Sequence, residues 1–273
     1  MLKRTITGIV LVALVTGFFF LRKINVLYFD IMVAILAFLG TFEMIRALKS
    51  KLTVPEMCII GLYAVIAIAF NAFFEFKVFA LAALVVVMAL LSLLVFDNKK
   101  TTLENTGLSL LCMLYPSTVL ITMIKANALG EYSLLALLLI FIVSPCADVF
   151  AYIVGITFKG KKLCPEISPK KTISGAVGGL IGGIGGSIAI YYIVGQKIET
   201  AVPAILVFAL FGLVCSLLTE FGDLVESVIK RKTGIKDMGN IFPGHGGILD
   251  RIDGILFASV FIFYAFDIII ALL

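Results

Sequence analysis

Apolar windows of roughly 20 residues recur along nearly the whole 273-residue chain. That recurrence constrains the fold more than any motif, because a run of this length is what an α-helix needs to cross about 30 Å of hydrocarbon. The windows fall near residues 5–21, 26–48, 57–74, 78–96, 107–124, 132–157, 175–195, 201–227 and 254–272. They are continuous and do not alternate over segments of about ten residues, so they read as helices and not as barrel strands. In lipid every backbone N–H and C=O must find an internal partner. The expected fold is therefore all-α: a polytopic integral membrane helical bundle with about nine transmembrane helices. Composition agrees. Charged residues make up 14% and hydrophobic residues 62%, against about 25% charged in globular chains, which excludes a soluble domain, a disordered chain and a secreted disulfide scaffold.

The chain opens Met1, Leu2, Lys3, Arg4 before its first apolar run, the layout of a signal peptide. It lacks a small-residue cleavage pattern and passes straight into Leu21, Arg22 and Lys23, so this segment is expected to remain as the first span. Of the 22 Lys and Arg residues, Arg22, Lys23, Lys77, Lys125 and Lys197 fall on one side of the membrane and the other 17 on the opposite side. The excess marks the cytoplasmic face and places the N-terminus there, with Arg22 and Lys23 running against the bias; nine spans then put the C-terminus outside. Ten of the 17 crowd into two connections, 158–174 and 228–253. Orientation alone does not require such crowding, and it points to a site. The organisation expected is a scaffold of N-terminal helices over 1–130 and a catalytic region over 131–273 that carries both loops. Asp30 and Glu43, in the first half, read either as helix-end groups reaching for the interface or as buried functional groups. The five cysteines, Cys58, Cys112, Cys146, Cys164 and Cys215, form no CxxC pair and read as inert small hydrophobes.

Acidic residues inside membrane helices are costly and need partners or a polar cavity. On the sixth span Asp148 is followed by Ala151, Tyr152 and Gly155 at helical spacing, and Pro145 just before it is expected to kink the helix. The eighth span ends in Glu220, Asp223, Glu226, Ser227, Lys230 and Arg231, with Asp223, Ser227 and Lys230 on one stripe. Asp250, Arg251 and Asp253 follow at the start of the last span. Asp223 reads either as a salt-bridge partner of Lys230 or Arg231 or as a cation ligand. So many carboxylates in one short stretch suit a hard divalent cation such as Mg²⁺, which is usually held by one or two carboxylates plus substrate phosphates.

Capacity for phosphate comes from two segments. Ser168, Lys170, Lys171 and Thr172 stand just ahead of the seventh span, whose N-terminus offers free N–H groups. The loop from Phe242 through Gly244, His245, Gly246 and Gly247 can curl successive backbone N–H groups around an anion. His245 is the only histidine, which excludes catalysis by a histidine pair; it reads as a loop residue bonded to a carbonyl or as a phosphate contact. The run Gly175, Gly178, Gly179, Gly182, Gly183, Gly185, Gly186 contains the four-residue spacings of a small-residue face for close helix approach, and is read as that and not as a nucleotide fingerprint.

Three motifs together resemble the phosphatidate cytidylyltransferases, the CDP-diacylglycerol synthases. The first spans about 27 residues: Ser227, Lys230, Arg231, Lys236, Asp237, PGHGG from Pro243 to Gly247, then Asp250, Arg251 and Asp253. The second is Asp148, Ala151, Tyr152, Gly155 and Phe158, and the third is SPKKT, Ser168 to Thr172. The likeness covers the C-terminal half. Ser174 stands where the family usually has Glu or Gln, and Gly254 where relatives often have Ser. The resemblance implies transfer of CMP from CTP to phosphatidate in the bilayer, with no nucleic acid partner, in a bacterial-type cytoplasmic membrane with the active site on the cytoplasmic side. It is compatible with a homodimer. The roles implied are catalysis by Asp223, Asp250, Lys170 and Lys171, and one or two cations, Mg²⁺ with room for a monovalent ion, on Asp223, Asp250, Asp148 and Asp253. Substrate contacts are implied for Tyr152, Ser168, Thr172, Ser227, Lys230, Arg231, Lys236, Gly244, His245, Gly246, Gly247 and Arg251. Two other classes fit parts of the pattern: a cation-coupled transporter, from intramembrane carboxylates and glycine-rich helices, and another CTP-dependent lipid enzyme such as a polyprenol kinase.

Overall fold

The computed structural model describes residues 2–73, 76–194 and 203–272. Lys197 and the window ends at 74, 195 and 201 lie outside them. Among the described residues ten α-helices dominate: α1 Leu2–Ile24, α2 Leu27–Leu48, α3 Val54–Phe73, α4 Phe76–Phe96, α5 Leu103–Cys112, α6 Val119–Asn127, α7 Ser133–Phe158, α8 Ile173–Ile193, α9 Ala204–Thr233 and α10 Leu249–Leu272. Among the described residues eight stretches are long and apolar enough to cross a membrane, and Val54–Ile68 in α3 is a shorter apolar stretch. The chain is thus a polytopic helical membrane protein, as its windows predict.

One window hides a break. The apolar run 107–124 predicts a single helix, but α5 and α6 are joined by a π-helical turn, Met113–Thr118, built around Pro116. Proline has no N–H to donate and crowds the preceding turn, and a widened turn absorbs both defects. Local hydroxyls complete it: Thr118 Oγ1 donates to the Met113 carbonyl at 3.0 Å, Thr41 and Ser117 pair at 2.6 Å, and Tyr63 and Thr118 pair at 2.6 Å. Pro145, by contrast, sits inside α7, which runs from Ser133 to Phe158 as one helix.

The chain forms two compact units, Met1–Ile124 with Thr233–Arg251, and Lys125–Lys232 with Ile252–Leu273. In the first, the Glu56 side chain reaches back at the start of α3: its Oε2 accepts from both the N–H and the hydroxyl of Thr53 at 2.8 Å.

In the second unit the glycine run does what its spacing predicts. A Cβ at Gly178, Gly182 or Gly186 would run into Val154, Phe150 or Cys146 of α7, an antiparallel register in steps of four. On its other side Gly183 faces Ser216 and Gly212 of α9, and Ser187 donates to the Phe208 carbonyl at 2.6 Å. Only backbones stripped of side chains come this close.

A two-stranded hairpin was not expected. β1 Lys162–Cys164 pairs antiparallel with β2 Ser168–Thr172, Lys162 opposite Thr172 and Cys164 opposite Ser168. The end of α7 and the start of α8 meet at Gly155 and Gly175, so the connection must reverse on itself, and its backbone groups satisfy one another across the reversal. Lys159 (φ 52°) and Gly160 (φ 107°) begin the turn.

Candidate active site

Both helices of the acidic site belong to the second unit there. From α9, Asp223 and Glu226 are one turn apart, and Asp253 of α10 joins them; a carboxylate oxygen from each lies within 4.8 Å of the others. Backbone contact fixes the crossing, since a Cβ at Gly222 would meet the Asp253 carbonyl. Glu226 is 0% exposed, deep for an ionisable group, and is answered by Lys230 one turn on at 2.6 Å. Asp223 is answered by Lys171 of β2 at 2.5 Å, and Ser227 donates to its other oxygen at 3.3 Å. The salt-bridge reading of Asp223 is therefore realised with a different lysine from the one expected. Lys230 goes to Glu226.

Three carboxylates meet two ammonium groups, and every donor atom of the three is a hard oxygen. That set suits a hard divalent cation. Around it, Arg231 Nε donates to the Ile167 carbonyl at 3.3 Å, tying the hairpin to α9. Lys170 is exposed beside the half-buried Ser168 and Lys171. The Thr172 hydroxyl accepts from the Gly175 N–H at 3.1 Å and caps α8, a local use of the side chain that the substrate-contact reading did not include. Asp148 is exposed on α7 and stands outside the group of three; Tyr152, one turn on, is 69% exposed.

The glycine loop belongs to the first unit. Phe242 and Gly246 bridge, the Phe242 N–H donating to the Gly246 carbonyl and the His245 N–H to the Phe242 carbonyl, each at 2.9 Å. Gly244 (φ 81°) and Gly246 (φ 85°) take the left-handed conformation that glycine alone adopts without strain. Among the described residues the Gly244 amide meets no acceptor, and His245 Nδ1 is buried without a hydrogen-bond partner. An unpaired amide in such a turn can meet an anion. Asp250, read from the sequence as a cation ligand, is 8% exposed, and its Oδ2 closes this loop by accepting from the Met238 and Gly247 amides, both at 2.8 Å. Lys236 and Arg251 are exposed in the same unit.

Two acidic residues carry more than the sequence reading gave them. Glu226 has no role of its own in the sequence pattern beyond being one of several carboxylates, although its i, i+4 spacing to Lys230 is visible there. Glu43 follows the buried one of its two readings. It is 2% exposed, and its two oxygens accept from the Ile248 and Leu249 amides at 3.0 and 2.9 Å.

Comparison with known proteins gives the chain's family. Residues 2–269 match the family model described as the cytidylyltransferase family. A phosphatidate cytidylyltransferase of Bacillus subtilis is 34% identical over 268 residues, 97% of each chain. One of Thermotoga maritima is 35% identical over 122 residues, 45% of each chain, and one of Mycobacterium bovis is 45% identical over 115 residues, 42% of this chain and 35% of the relative. Since the family match runs from the first helix to the last and is not confined to the charged segments, the chain belongs to the cytidylyltransferase family.

Proposed function

We propose that the protein transfers CMP from CTP to phosphatidate, giving CDP-diacylglycerol and pyrophosphate. A phosphate oxygen of phosphatidate attacks the α-phosphorus of CTP, the bond from that phosphorus to the bridging oxygen breaks, and pyrophosphate leaves. Such displacements need alignment and charge neutralisation more than a strong base. Phosphatidate's phosphomonoester is already largely ionised near neutral pH, with a second pKa of about 6, so no side chain has to remove a proton.

The observation that carries this reading is the grouping of Asp223, Glu226 and Asp253 with Lys171 and Lys230, in a chain of this family. The three carboxylates would hold a divalent cation, which neutralises and aligns the triphosphate. Lys171 and Lys230 exchange their carboxylate partners for phosphate oxygens, and exposed Lys170 and Arg231 extend the basic rim. Ser227 orients Asp223. The Gly244–Gly247 loop, shaped by Asp250, meets anionic phosphate through the Gly244 amide. The excess of Lys and Arg in the connections supports a cytoplasmic site, where soluble CTP meets a headgroup whose tails remain in lipid.

The test is purified protein with phosphatidate, Mg²⁺ and CTP labelled at the α-phosphate. Label in the lipid with stoichiometric pyrophosphate release is expected. Label that reaches lipid only from the γ-phosphate would make the protein a kinase and overturn the proposal, as would no transfer by a well-folded preparation.

A further inference from the structure

We propose that Glu43 is a positioning residue of the catalytic apparatus: from the second helix it fixes the glycine loop that receives phosphate. The assignment rests on the cytidylyl-transfer reading for what the loop binds, and on geometry within one compact unit for how it is held.

At the start of α10 the first amides have no partner inside the helix. Ile248 and Leu249 turn theirs onto the two oxygens of Glu43, a carboxylate 205 residues away in sequence. An anion at a helix N-terminus also gains from the helix dipole. The loop is cut to fit this side chain. A Cβ at Gly239 or Gly247 would strike the Glu43 carboxylate, and at Gly40, one turn back on α2, a Cβ would press on Leu249 and Pro116. The third tie comes from α1, where Thr7 Oγ1 donates to the Pro243 carbonyl at 3.2 Å.

With Asp250 holding the amides of Met238 and Gly247, four anchor points, Met238 and the consecutive Gly247, Ile248 and Leu249, are fixed by two carboxylates. The Gly244 turn stands between them as the part left to face a ligand. Glutamine cannot replace Glu43: its amide nitrogen would confront one of the two N–H donors with another donor. The N-terminal helices are therefore more than a membrane scaffold, since the loop's shape is set from α2.

The experiment compares wild type, Glu43→Gln, Glu43→Asp and Gly239→Ala, with Glu56→Gln as a control for loss of a carboxylate that caps only its own helix. Label transfer from CTP gives kcat and KM, and hydrogen exchange follows peptides covering 238–250. Glu43→Gln is expected to lower kcat/KM for CTP at least tenfold, mainly through KM, and to speed exchange at Ile248 and Leu249. Glu43→Asp should recover part of the loss. Gly239→Ala, which presses a methyl onto the same carboxylate from the loop side, should reproduce the KM effect if Glu43→Gln proves too unstable to purify. Glu56→Gln should lower the melting temperature and leave KM for CTP within twofold of wild type. The proposal is overturned if Glu43→Gln or Gly239→Ala keeps kcat/KM within twofold of wild type, or if exchange over 238–250 is unchanged. If wild type transfers no label, the cytidylyl-transfer reading fails, and the exchange data alone still decide whether Glu43 fixes the loop.

Discussion

Carboxylates are handled in opposite ways in the two units. On α9 and α10, Asp223 and Glu226 are balanced by lysine side chains, Lys171 and Lys230, and Asp253 stands beside them. In the loop region Glu43 and Asp250 are balanced by backbone amides. A lysine on a flexible stem can let go of its partner and take another, whereas an amide fixed in the main chain cannot move without the loop moving with it. The first kind of pairing leaves carboxylate and ammonium both available to a charged ligand. The second builds shape. An acidic residue's place in sequence does not separate the two kinds; the nature of its hydrogen-bond donors does.

The strongest way to break that contrast is at Asp223. Asp223→Asn keeps size and shape, removes one charge from the exchangeable group, and should cut turnover by about 10³-fold, a loss of several kcal/mol in transition-state stabilisation. The melting temperature should hold or rise, because two like charges nearby lose their repulsion. Turnover above a tenth of wild type in folded protein would show that the group on α9 and α10 does not handle the reacting phosphates.

A smaller effect is expected where main chain and carboxylate are locked together. In Gly247→Ala the new methyl has no space beside Glu43, and forcing an extra carbon into a packed site costs about 1–3 kcal/mol. The loop must shift, so both signals should move: a lower melting temperature and a 10- to 100-fold fall in kcat/KM. Loss of activity with unchanged stability would place Gly247 among ligand contacts and not among shape-setting positions.

Much of this was legible in the chain. The spans follow from apolar runs, and the face of α8 from glycines four apart, because both depend on local periodicity. The partnership of Glu226 with Lys230 was available from spacing alone. What could not be read depends on distant pairing. Glu43 gives no hint of Ile248 in its own neighbourhood, and an isolated acid in an apolar window looks the same whether it reaches for water or caps another helix. Asp250 is adjacent to Arg251 in sequence and close to Asp253, yet its amide partners at Met238 and Gly247 emerge only once the loop has folded back. The hairpin at 162–172 was hidden for a similar reason: lysines and Pro169 suppress any strand signal, and pairing is imposed by the close approach of α7 and α8.

Thr172 sharpens the comparison at its weakest point. Its hydroxyl sits in a segment read from the sequence as phosphate-binding, yet it caps α8 through Gly175, next to a lysine whose partner is exchangeable. If capping is its whole role, Thr172→Val costs about 1 kcal/mol of stability and leaves KM for CTP unchanged, while Thr172→Ser restores the melting temperature. A fall in CTP affinity in the valine variant, rescued by serine, would move Thr172 from the shape-setting class to the ligand-exchanging one. The boundary between the two would then run through β2 itself, between neighbouring residues.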